Sequence, residues 1–529
     1  MLHITENNGS CAIAREGEEL LACAVSFDPA QALELLLALN GLKAIDGTPI
    51  YSAYRVDTIP VWSLLQEHLF WEYLQPLVKY RPVIEFLAKH ANEPVETSIH
   101  GVQVWAALLK SASPHSLKER GGEWRQLAET LFLLVNAWLC GLWGRFRGAK
   151  MILWSLNCVW SGKWLDYRLK DVYAELWGSK APFIEGFPFS GFKPALRRFL
   201  GTKRIVFYAP NILMIRQEAR KNARHIEYAF AKSFPVAETL MIPLIRHFET
   251  MAANVGLHTK LLSRLLRFAP FPRIIGIDEH TSYAALLCAA RQRGVELVGL
   301  QHGVFHKYSI GWCTPGIPHE FTGGYDLLIV WGEYWRSLLA ELSSTYTASR
   351  LQVGGFIRPS TIAFKPRRCQ PPRDQLRILL PYEFLANPGE IAAFIDAFHG
   401  LGYKVLFKVR FDDTLDEQLK MLPREKLELV PELTQELLDS VHVCAGTSTT
   451  MMYELLYLGI PSWFIRTKHD SNIHMVEKNL AAEITLSMLA ESNFDPWSHI
   501  LPKPAIDQLF EGSGIPLKLV ELIRNNRIS

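Results

Sequence analysis

Ionisable side chains directly follow two short apolar runs near the middle of the chain. Asp278 and Glu279 come after residues 273–277, and His302 comes after residues 295–300. Adjacent carboxylates at a strand end face opposite ways, so one is predicted to face a ligand as general base or nucleophile while the other caps the following helix. Histidine titrates near neutrality and can donate to a phosphate or shuttle a proton. Asp278, Glu279 and His302 are therefore the predicted catalytic residues.

The residues around His302 have types suited to a substrate wall. Gln301 and Gly303 flank the histidine, and His306 and Tyr308 follow in the same loop. A glycine at this place permits a tight or left-handed turn and lets a ligand approach the backbone. We predict that these four residues contact the acceptor or substrate.

A second constellation is a small, hydroxyl-rich turn. Gly446, Thr447, Ser448, Thr449 and Thr450 follow an apolar run and precede a helical pattern. Backbone amides and hydroxyls at such a turn bind phosphate or pyrophosphate. Helix capping is the alternative interpretation, but it needs only one or two of the four hydroxyls. The turn is predicted to be an anion site.

Three charged residues belong with this turn. Glu454 lies one helical turn further on, where a carboxylate can accept both hydroxyls of a ribose. Its alternative is a favourable charge in the first turn of a helix. Lys408 and Arg410 alternate with apolar residues at a strand end, where they would neutralise a diphosphate or stay as solvated charges. We predict that all three bind the donor.

The elements that would position these residues alternate between strand and helix. Residues 273–303 form a strand–helix–strand unit, and residues 223–234 and 237–254 before it carry helical patterns. The basic, proline-rich residues 365–372 are predicted to link two halves. We expect an α-rich region over 1–125, a first Rossmann-like domain over 150–364 and a second over 373–525. The class is α/β, with two doubly wound domains facing a cleft.

Composition excludes several functions. The 529 residues carry a net charge of +3, which is too small for a nucleic-acid surface. The eight cysteines are scattered without a Cys-x-x-Cys pair, which predicts buried free thiols in a reducing compartment and no zinc site. The start of the chain does not have the apolar core of a signal peptide.

The most apolar segment covers residues 131–143 and precedes Arg145, Arg147 and Lys150. It is shorter than the roughly 20 residues that a membrane span needs. Two interpretations stay open: a buried core helix, or an interfacial helix lying on an anionic membrane.

Taken in order, these motifs resemble a known family. Residues 300–306, 330–333, 353–359 and 446–461 resemble motifs of the GT-B glycosyltransferases that build bacterial surface polysaccharides. The similar branch has a Gln-His-Gly turn and includes capsule proteins and Kdo transferases; teichoic-acid glycerophosphotransferases are more remote. The chain departs from the family's usual Lys-x-His-Pro at residues 408–411, and its turn at 355–358 is a looser match.

The resemblance implies a nucleotide-sugar donor in the second domain and a glycan or lipid-linked glycan acceptor in the first. The expected protein is a metal-independent, cytoplasmic glycosyltransferase in contact with the inner membrane, with no cofactor beyond its donor. Three alternatives remain: a CDP-alditol phosphotransferase, a nucleotide-sugar 2-epimerase, and a non-catalytic scaffold of a polysaccharide assembly complex.

Overall fold

The computed structural model describes residues 1–7, 10–25, 28–111, 123–155, 167–202, 204–211, 213, 215, 217–277, 283–363, 376–383, 386–409, 422–501 and 506–525. The strands are β1 (Leu2–Asn7), β2 (Ser10–Arg15), β3 (Glu18–Ala24), β4 (Arg55–Val56), β5 (Ile59–Pro60), β6 (Val95–Thr97), β7 (Met151–Trp154), β8 (Ile184–Phe189), β9 (Val206–Pro210), β10 (Arg273–Gly276), β11 (Glu296–Leu300), β12 (Leu327–Val330), β13 (Leu351–Val353), β14 (Arg377–Pro381), β15 (Lys404–Lys408), β16 (Leu427–Val430), β17 (Val443–Gly446), β18 (Ser462–Ile465) and β19 (Ala481–Ile484).

The α-helices are α1 (Pro29–Asn40), α2 (Ile50–Ala53), α3 (Trp62–His68), α4 (Gln75–Lys79), α5 (Arg81–Lys89), α6 (His100–Ser111), α7 (Glu123–Arg147), α8 (Lys170–Gly178), α9 (Phe192–Thr202), α10 (Gln217–Asn222), α11 (Glu238–Phe268), α12 (Ala284–Gln292), α13 (Ile310–Cys313), α14 (Glu333–Leu342), α15 (Pro388–Gly400), α16 (Gln435–Ser440), α17 (Met451–Tyr457), α18 (His474–Glu477), α19 (Leu486–Leu489) and α20 (Ile515–Asn525). A π-helical turn, Leu69–Leu74, joins α3 to α4.

Two parallel sheets have the same strand order. The first runs β13-β12-β11-β10-β7-β8-β9 and the second runs β16-β15-β14-β17-β18-β19. Counted within each domain, both sheets contain the order 3-2-1-4-5-6 of the doubly wound Rossmann fold. The predicted GT-B pairing of two Rossmann-like domains is confirmed by this topology.

The N-terminal region contains the expected helices and also a sheet that the sequence analysis missed. The order β3-β2-β1-β6 joins a three-stranded antiparallel meander to one parallel strand. Glu16 and Gly17 turn β2 into β3 with φ of 51° and 87°, as the type I′ hairpin requires. The region packs on the first domain, where the Asn40 side-chain amide donates to the Pro315 carbonyl over 2.8 Å.

Helix α7 is longer than the apolar segment predicted from the sequence. Residues Leu127–Arg147 are long and apolar enough for a membrane span by length and composition. One face of the helix is nevertheless fixed to the first domain. A Cβ on Gly141 would lie 1.8 Å from the Phe268 carbonyl oxygen at the end of α11. Only a residue without a side chain lets the two helices approach this closely.

The helix predicted over residues 223–234 is wrong. Helix α10 ends at Asn222, and the following chain pairs Tyr228 with Ala44 in a β-bridge. The Glu249 carboxylate of α11 accepts the Ile226 amide over 2.9 Å. Contacts with distant parts of the chain therefore replace the local helical bonds. The second predicted helix is present as α11 and extends to Phe268.

The end of the chain returns to the first domain. The Trp335 indole donates to the Leu509 carbonyl over 2.9 Å, and the Glu511 amide donates to the Trp331 carbonyl over 2.9 Å. A Cβ on Gly355 would lie 2.5 Å from the backbone nitrogen of Gly514. Residues 506–525 thus pack with the first domain, although they fall within the range predicted for the second.

The thiol prediction holds for the cysteines that the structure describes. Cys11, Cys140, Cys288, Cys313 and Cys444 are buried free thiols, and Cys23 is a partly exposed one. Cys158, Cys369 and the predicted linker at residues 365–372 lie outside the described residues.

Candidate active site

The switch point of the second sheet lies between β14 and β17. These two strands are adjacent and parallel. The strands that follow β14 in sequence lie on one side of the pair, and those that follow β17 lie on the other. Open α/β sheets bind ligands in the crevice at the carboxyl ends of such strands. Strand β14 leads to Glu383 and β17 leads to the hydroxyl-rich turn, so the predicted anion site lies in this crevice.

The anion-binding groups of the turn hold the carboxylate of Glu383. The Thr447 amide donates to Oε1 over 2.8 Å and the Ser448 amide donates to Oε2 over 3.0 Å. The Ser448 hydroxyl also donates to Oε2. Burial raises the pKa of Glu383, and the hydrogen bonds from Ser448, Thr447 and Thr449 offset part of that rise. In this structure the group that the turn binds is the side-chain carboxyl of Glu383.

Gly446 and Thr447 show how closely the carboxylate fits. A Cβ on Gly446 would lie 2.6 Å from Oε1 of Glu383, so only glycine admits the carboxylate here. The Thr447 hydroxyl is buried and has no hydrogen-bond partner among the described residues. A buried hydroxyl without a partner costs free energy, and a bound ligand would remove that cost.

Capping accounts for only part of the turn. The Thr449 hydroxyl accepts the Met451 amide over 3.3 Å at the start of α17. Thr450, the N-cap residue, makes no side-chain capping bond. The Asn472 side-chain amide donates to the Thr449 carbonyl over 3.3 Å and fixes the turn from the other side. The excess of hydroxyls over capping needs, inferred from the sequence, is therefore present.

Glu454 forms an ion pair with the first domain. Its Oε1 accepts Nη2 of Arg358 over 2.9 Å, and the two side chains are 6 % and 23 % exposed. Burial raises the pKa of Glu454, while Arg358 lowers it. Arg358 lies in the turn after β13, so the pair joins the two domains. One carboxylate oxygen of Glu454, the residue predicted to bind the ribose, is therefore already paired with Arg358.

Lys408 lies at the predicted edge of the sheet and donates to the backbone. Its ammonium contacts the Val409 carbonyl over 2.7 Å and the Pro431 carbonyl over 3.0 Å. Burial lowers the pKa of Lys408. The lysine thus bridges the carbonyl groups that follow β15 and β16. Arg410 lies outside the described residues.

His302 lies at the corresponding edge of the first sheet. Its Nδ1 is 2.5 Å from the carbonyl oxygen of Ile277, the residue before the acidic pair. A carbonyl only accepts, so Nδ1 carries the proton of this contact and Nε2 is the ring nitrogen that can act as a base. Asp278 and Glu279 themselves lie outside the described residues. The parallel pairing of β10 and β11 brings the histidine to the chain that leads to them.

Gln301 and Gly303 differ from their predicted roles. Gln301 is fully buried: its amide nitrogen donates to the Gly303 carbonyl over 2.9 Å, and its Oε1 accepts the Trp331 amide over 2.9 Å. It braces the turn and does not face a ligand. Gly303 is not among the residues with positive φ, so the left-handed alternative for this turn is wrong. A Cβ there would meet nothing within 4 Å, which leaves the predicted open space beside the backbone.

His306 and Tyr308 contact the second domain. The Tyr308 hydroxyl donates to Asp470 Oδ1 over 2.7 Å, and Lys307 donates to Oδ2 over 2.8 Å. The His306 ring lies 6.4 Å from the ring of His469, and burial lowers its pKa so that it stays neutral. These side chains form an interdomain contact, and in this structure they do not form the predicted acceptor wall.

A chain of hydrogen-bonded residues connects Tyr308 to the hydroxyl-rich turn through the segment that contains Asp470. The Asn472 amide, two residues from Asp470, donates to the Thr447 carbonyl over 3.2 Å. Burial tends to raise the pKa of Asp470, but the hydrogen bonds from Lys307 and Tyr308 outweigh it, and the pKa is lowered. The loop of the first domain is thereby tied to the anion turn of the second.

The described candidate residues form no metal cluster, and they do not line the cavity beside α6. Among the described residues, no group of three His, Cys, Asp or Glu side chains is placed to hold a metal ion. A cavity of about 630 Å³ is lined by residues of α5, α6 and β6, including Leu87, His90 and Lys110. It contains no candidate site residue, so we do not assign it to the active site.

Sequence reasoning missed Glu383, Arg358 and Asp470. Glu383 comes two residues after the end of an apolar strand, which is a weaker form of the signal that drew attention to Asp278. Arg358 ends the loosely matching family turn at 355–358. Asp470 follows a lysine and a histidine in an irregular segment, and nothing in the local sequence singles it out.

No family model and no curated protein sequence matches the chain. Among solved structures it is similar to MurG of Acinetobacter baumannii (11 % identity, 71 % of this chain and 99 % of that one, TM-score 0.41). It is also similar to the calicheamicin glycosyltransferase CalG4 (14 %, 72 % and 99 %, TM-score 0.41). A third is UDP-GlcNAc 2-epimerase from Neisseria meningitidis bound to UDP-GlcNAc (10 %, 71 % and 100 %, TM-score 0.38). Likeness at this level does not identify a substrate or a reaction.

Proposed function

We propose that the chain is a glycosyltransferase that moves a sugar from a nucleotide-activated donor to a surface polysaccharide or lipid-linked glycan, at the cytoplasmic face of the membrane. The observation that supports this most is the anion site at the second switch point. The amides of Thr447 and Ser448 point into the crevice and already hold a carboxylate. A donor phosphate presents oxygens of the same charge to the same donors.

In this proposal the donor replaces an internal ligand at two places. Its phosphate takes the position of the Glu383 carboxylate on the turn and gives the Thr447 hydroxyl a partner. Its ribose takes the position of Arg358 on Glu454. The released Arg358 guanidinium, together with Arg410, then lies free to neutralise the diphosphate. These cations, with the amides of the turn, supply the positive charge, so the proposal assigns no metal ion.

The transfer itself is assigned to the first domain. Asp278 or Glu279 takes the proton of the acceptor hydroxyl, whose oxygen attacks the anomeric carbon, and the bond from that carbon to the donor phosphate breaks. This single displacement inverts configuration. If the carboxylate itself attacks the anomeric carbon first, the acceptor attacks afterwards and configuration is retained. His302 orients the acceptor or donates to the leaving phosphate.

The test is a thermal-shift titration of the full-length protein with CMP, CDP, UDP, GDP and TDP. A ligand at about 100 times its Kd adds roughly 2.7 kcal/mol to the unfolding free energy. We expect one nucleotide to raise the Tm of the wild type and of Glu436→Ala, an exposed control. The same nucleotide is expected to have no effect on Glu454→Ala. An equal shift in the Glu454 variant contradicts the donor assignment.

A CDP-alditol phosphotransferase is the second candidate, and the geometry of His302 favours it. The Ile277 carbonyl fixes the proton on Nδ1, which makes Nε2 a base for an alditol hydroxyl. Polymer formation from CDP-glycerol that disappears in His302→Gln supports this candidate. Sugar transfer from a nucleotide-sugar by the wild type supports the glycosyltransferase.

Two further alternatives have separate readouts. Free epimerised sugar formed from the nucleotide-sugar without any acceptor indicates an epimerase. Unchanged polymer in cells that express the triple variant Asp278→Ala, His302→Ala and Glu454→Ala indicates a scaffold.

A further inference from the structure

The outer face of α7 and α9 is apolar over a large area. In α7, a stripe at helical spacing is exposed, formed by Trp124, Leu127, Leu131, Trp138, Leu142 and Phe146, with Trp124 83 % and Phe146 80 % exposed. In α9, the exposed apolar residues are Phe192, Leu196, Phe199 and Leu200. We call these ten residues the α7–α9 face. Soluble surfaces rarely carry a contiguous apolar patch of this kind without a partner.

The two helices present this face together. The rings of Phe132 in α7 and Phe192 in α9 meet with centroids 5.4 Å apart, so the apolar stripes adjoin. The opposite side of α7 is fixed to the sheet by Asn136. Its amide nitrogen donates to the Val206 carbonyl over 2.8 Å, and its oxygen accepts the Tyr208 amide over 3.0 Å. The helix is therefore held with one face inward and the apolar face outward.

Basic residues border the α7–α9 face. Arg145, Arg147 and Lys150 are exposed at the end of α7, and Lys193 and Arg197 are exposed on α9. The sequence of α9 contains no acidic residue. Apolar side chains surrounded by lysine and arginine match the interface of an anionic bilayer, where the chains enter the acyl boundary and the cations meet lipid phosphates.

We propose that the α7–α9 face docks the protein on an anionic lipid bilayer, with both helices lying in the interfacial plane. A second copy of the chain fits this face less well, because a two-fold contact would bring the same basic residues together. A transmembrane arrangement of α7 would break both Asn136 bonds. The inference rests on the proposed function only for the location of the acceptor, and lipid binding needs no donor.

The experiment is co-sedimentation of the full-length protein with vesicles of phosphatidylcholine alone and of phosphatidylcholine mixed with phosphatidylglycerol. We expect binding to the mixed vesicles that weakens at high salt. The double variant Leu142→Glu, Leu196→Glu should bind at least about tenfold more weakly, because both side chains enter the bilayer in the proposal. These residues are 46 % and 58 % exposed, so the folded core is not disturbed.

Charge and control variants separate the two contributions. The double reversal Arg145→Glu, Lys193→Glu should weaken binding to mixed vesicles about 25-fold or more, because each basic residue near such a surface contributes roughly fivefold. Leu486→Glu changes a leucine of the second domain that is 40 % exposed and should bind like the wild type.

Three results would overturn the proposal. One is vesicle binding that Leu142→Glu, Leu196→Glu leaves unchanged. Another is a wild-type dimer that this variant converts to a monomer, which assigns the face to a copy of the chain. The last is wild-type protein that stays in native membranes after alkaline extraction, which assigns α7 as a span. Nucleotide-induced Tm shifts in the same variants report the donor site separately, so either proposal can fail alone.

Discussion

The two Rossmann-like sheets share a strand order, yet their switch points are used differently. In the second sheet the crevice between β14 and β17 is closed by Glu383, which three donors of the hydroxyl-rich turn hold. In the first sheet the corresponding edge carries His302, whose described contact is with the Ile277 carbonyl. Equal topology therefore fixes where a ligand can lie, while the side chains at the strand ends decide what is held there.

The difference gives the two crevices different tasks. Amides and a hydroxyl that already converge on a carboxylate are preorganised for an anion. The carboxylate of Glu383 competes with a donor for the turn. The apparent affinity for the donor is therefore the intrinsic affinity multiplied by the fraction of molecules in which Glu383 has left the turn. In the first crevice the described group at the strand end is the His302 imidazole, which the proposal assigns to the acceptor.

The largest expected effect concerns the first crevice. His302→Ala should lower turnover by about 10²- to 10⁴-fold, the range of general acid–base groups. Donor affinity, measured by nucleotide titration, should stay unchanged because the second crevice is untouched. A loss of less than about tenfold would remove the histidine from the reaction and weaken the division of tasks.

The next effect concerns the pair that joins the domains. Glu454→Gln should lower the unfolding free energy by about 2 kcal/mol, because it leaves the partly buried guanidinium of Arg358 without an opposite charge. We expect less than for a fully buried pair, since Arg358 is 23 % exposed. Urea unfolding measures the change.

A double-mutant cycle with Arg358→Gln isolates the coupling of this pair. The matched control is Asp396→Asn, whose partner Lys426 lies 2.9 Å away at the surface, and it should show no measurable change. Additive effects of Glu454→Gln and Arg358→Gln would contradict a specific pair.

A smaller effect tests the competitor in the second crevice. Glu383→Gln should bind nucleotide about tenfold more tightly, because a neutral amide competes less for the turn than a carboxylate does. Burial raises the pKa of Glu383, so the wild type should gain affinity as the pH falls towards that pKa. The gain should be absent in the variant, and calorimetric titration over pH measures both. Weaker binding by the variant at every pH would show that Glu383 supports the turn and does not compete with the donor.

The smallest effect concerns the contact between the two crevices. Asp470→Asn should lower the unfolding free energy at pH 7 by about 1 kcal/mol, since Lys307 is 39 % exposed and screened. The pKa of Asp470 is lowered, so its contribution is present above the unfolded-state pKa and is lost as the pH falls through the folded-state pKa.

Wild type and variant should therefore begin to converge in urea unfolding below about pH 4, near the unfolded-state pKa, and coincide only below the folded-state pKa. A difference that persists in acid would assign the stability to another group. Sugar transfer should fall more than nucleotide binding in this variant, because the contact holds the two crevices together.

Local patterns predicted the parts of the fold that depend on neighbours in sequence. The unit of β10, α12 and β11 and the strands β7, β14 and β17 follow from apolar runs that stop at turn residues. The hairpin of β2 and β3 was missed although Glu16-Gly17 between two alternating runs signals it. Residues 223–234 have a helical pattern, but bonds to Glu249 and Tyr54 override it.

The sequence indicated which kind of group the turn would bind, but not which residues contact each other at the site. The anion preference of residues 446–450 followed from their types. Its occupant did not, because Glu383 lies 64 residues before Thr447 and only the sheet brings them together. The same holds for Arg358 and Glu454, which are 96 residues apart and belong to different domains.

The return of α20 to the first domain affects biosynthesis. The described packing of that domain includes Leu509 and residues 515–525, which follow the whole second sheet in the chain. Domains usually fold in order during translation, the N-terminal one first. Here the second domain has its complete sheet while the first still exposes the surface that α20 covers. The first domain becomes complete only after the second has been synthesised, so removing residues 506–525 should harm the half of the protein that is made first.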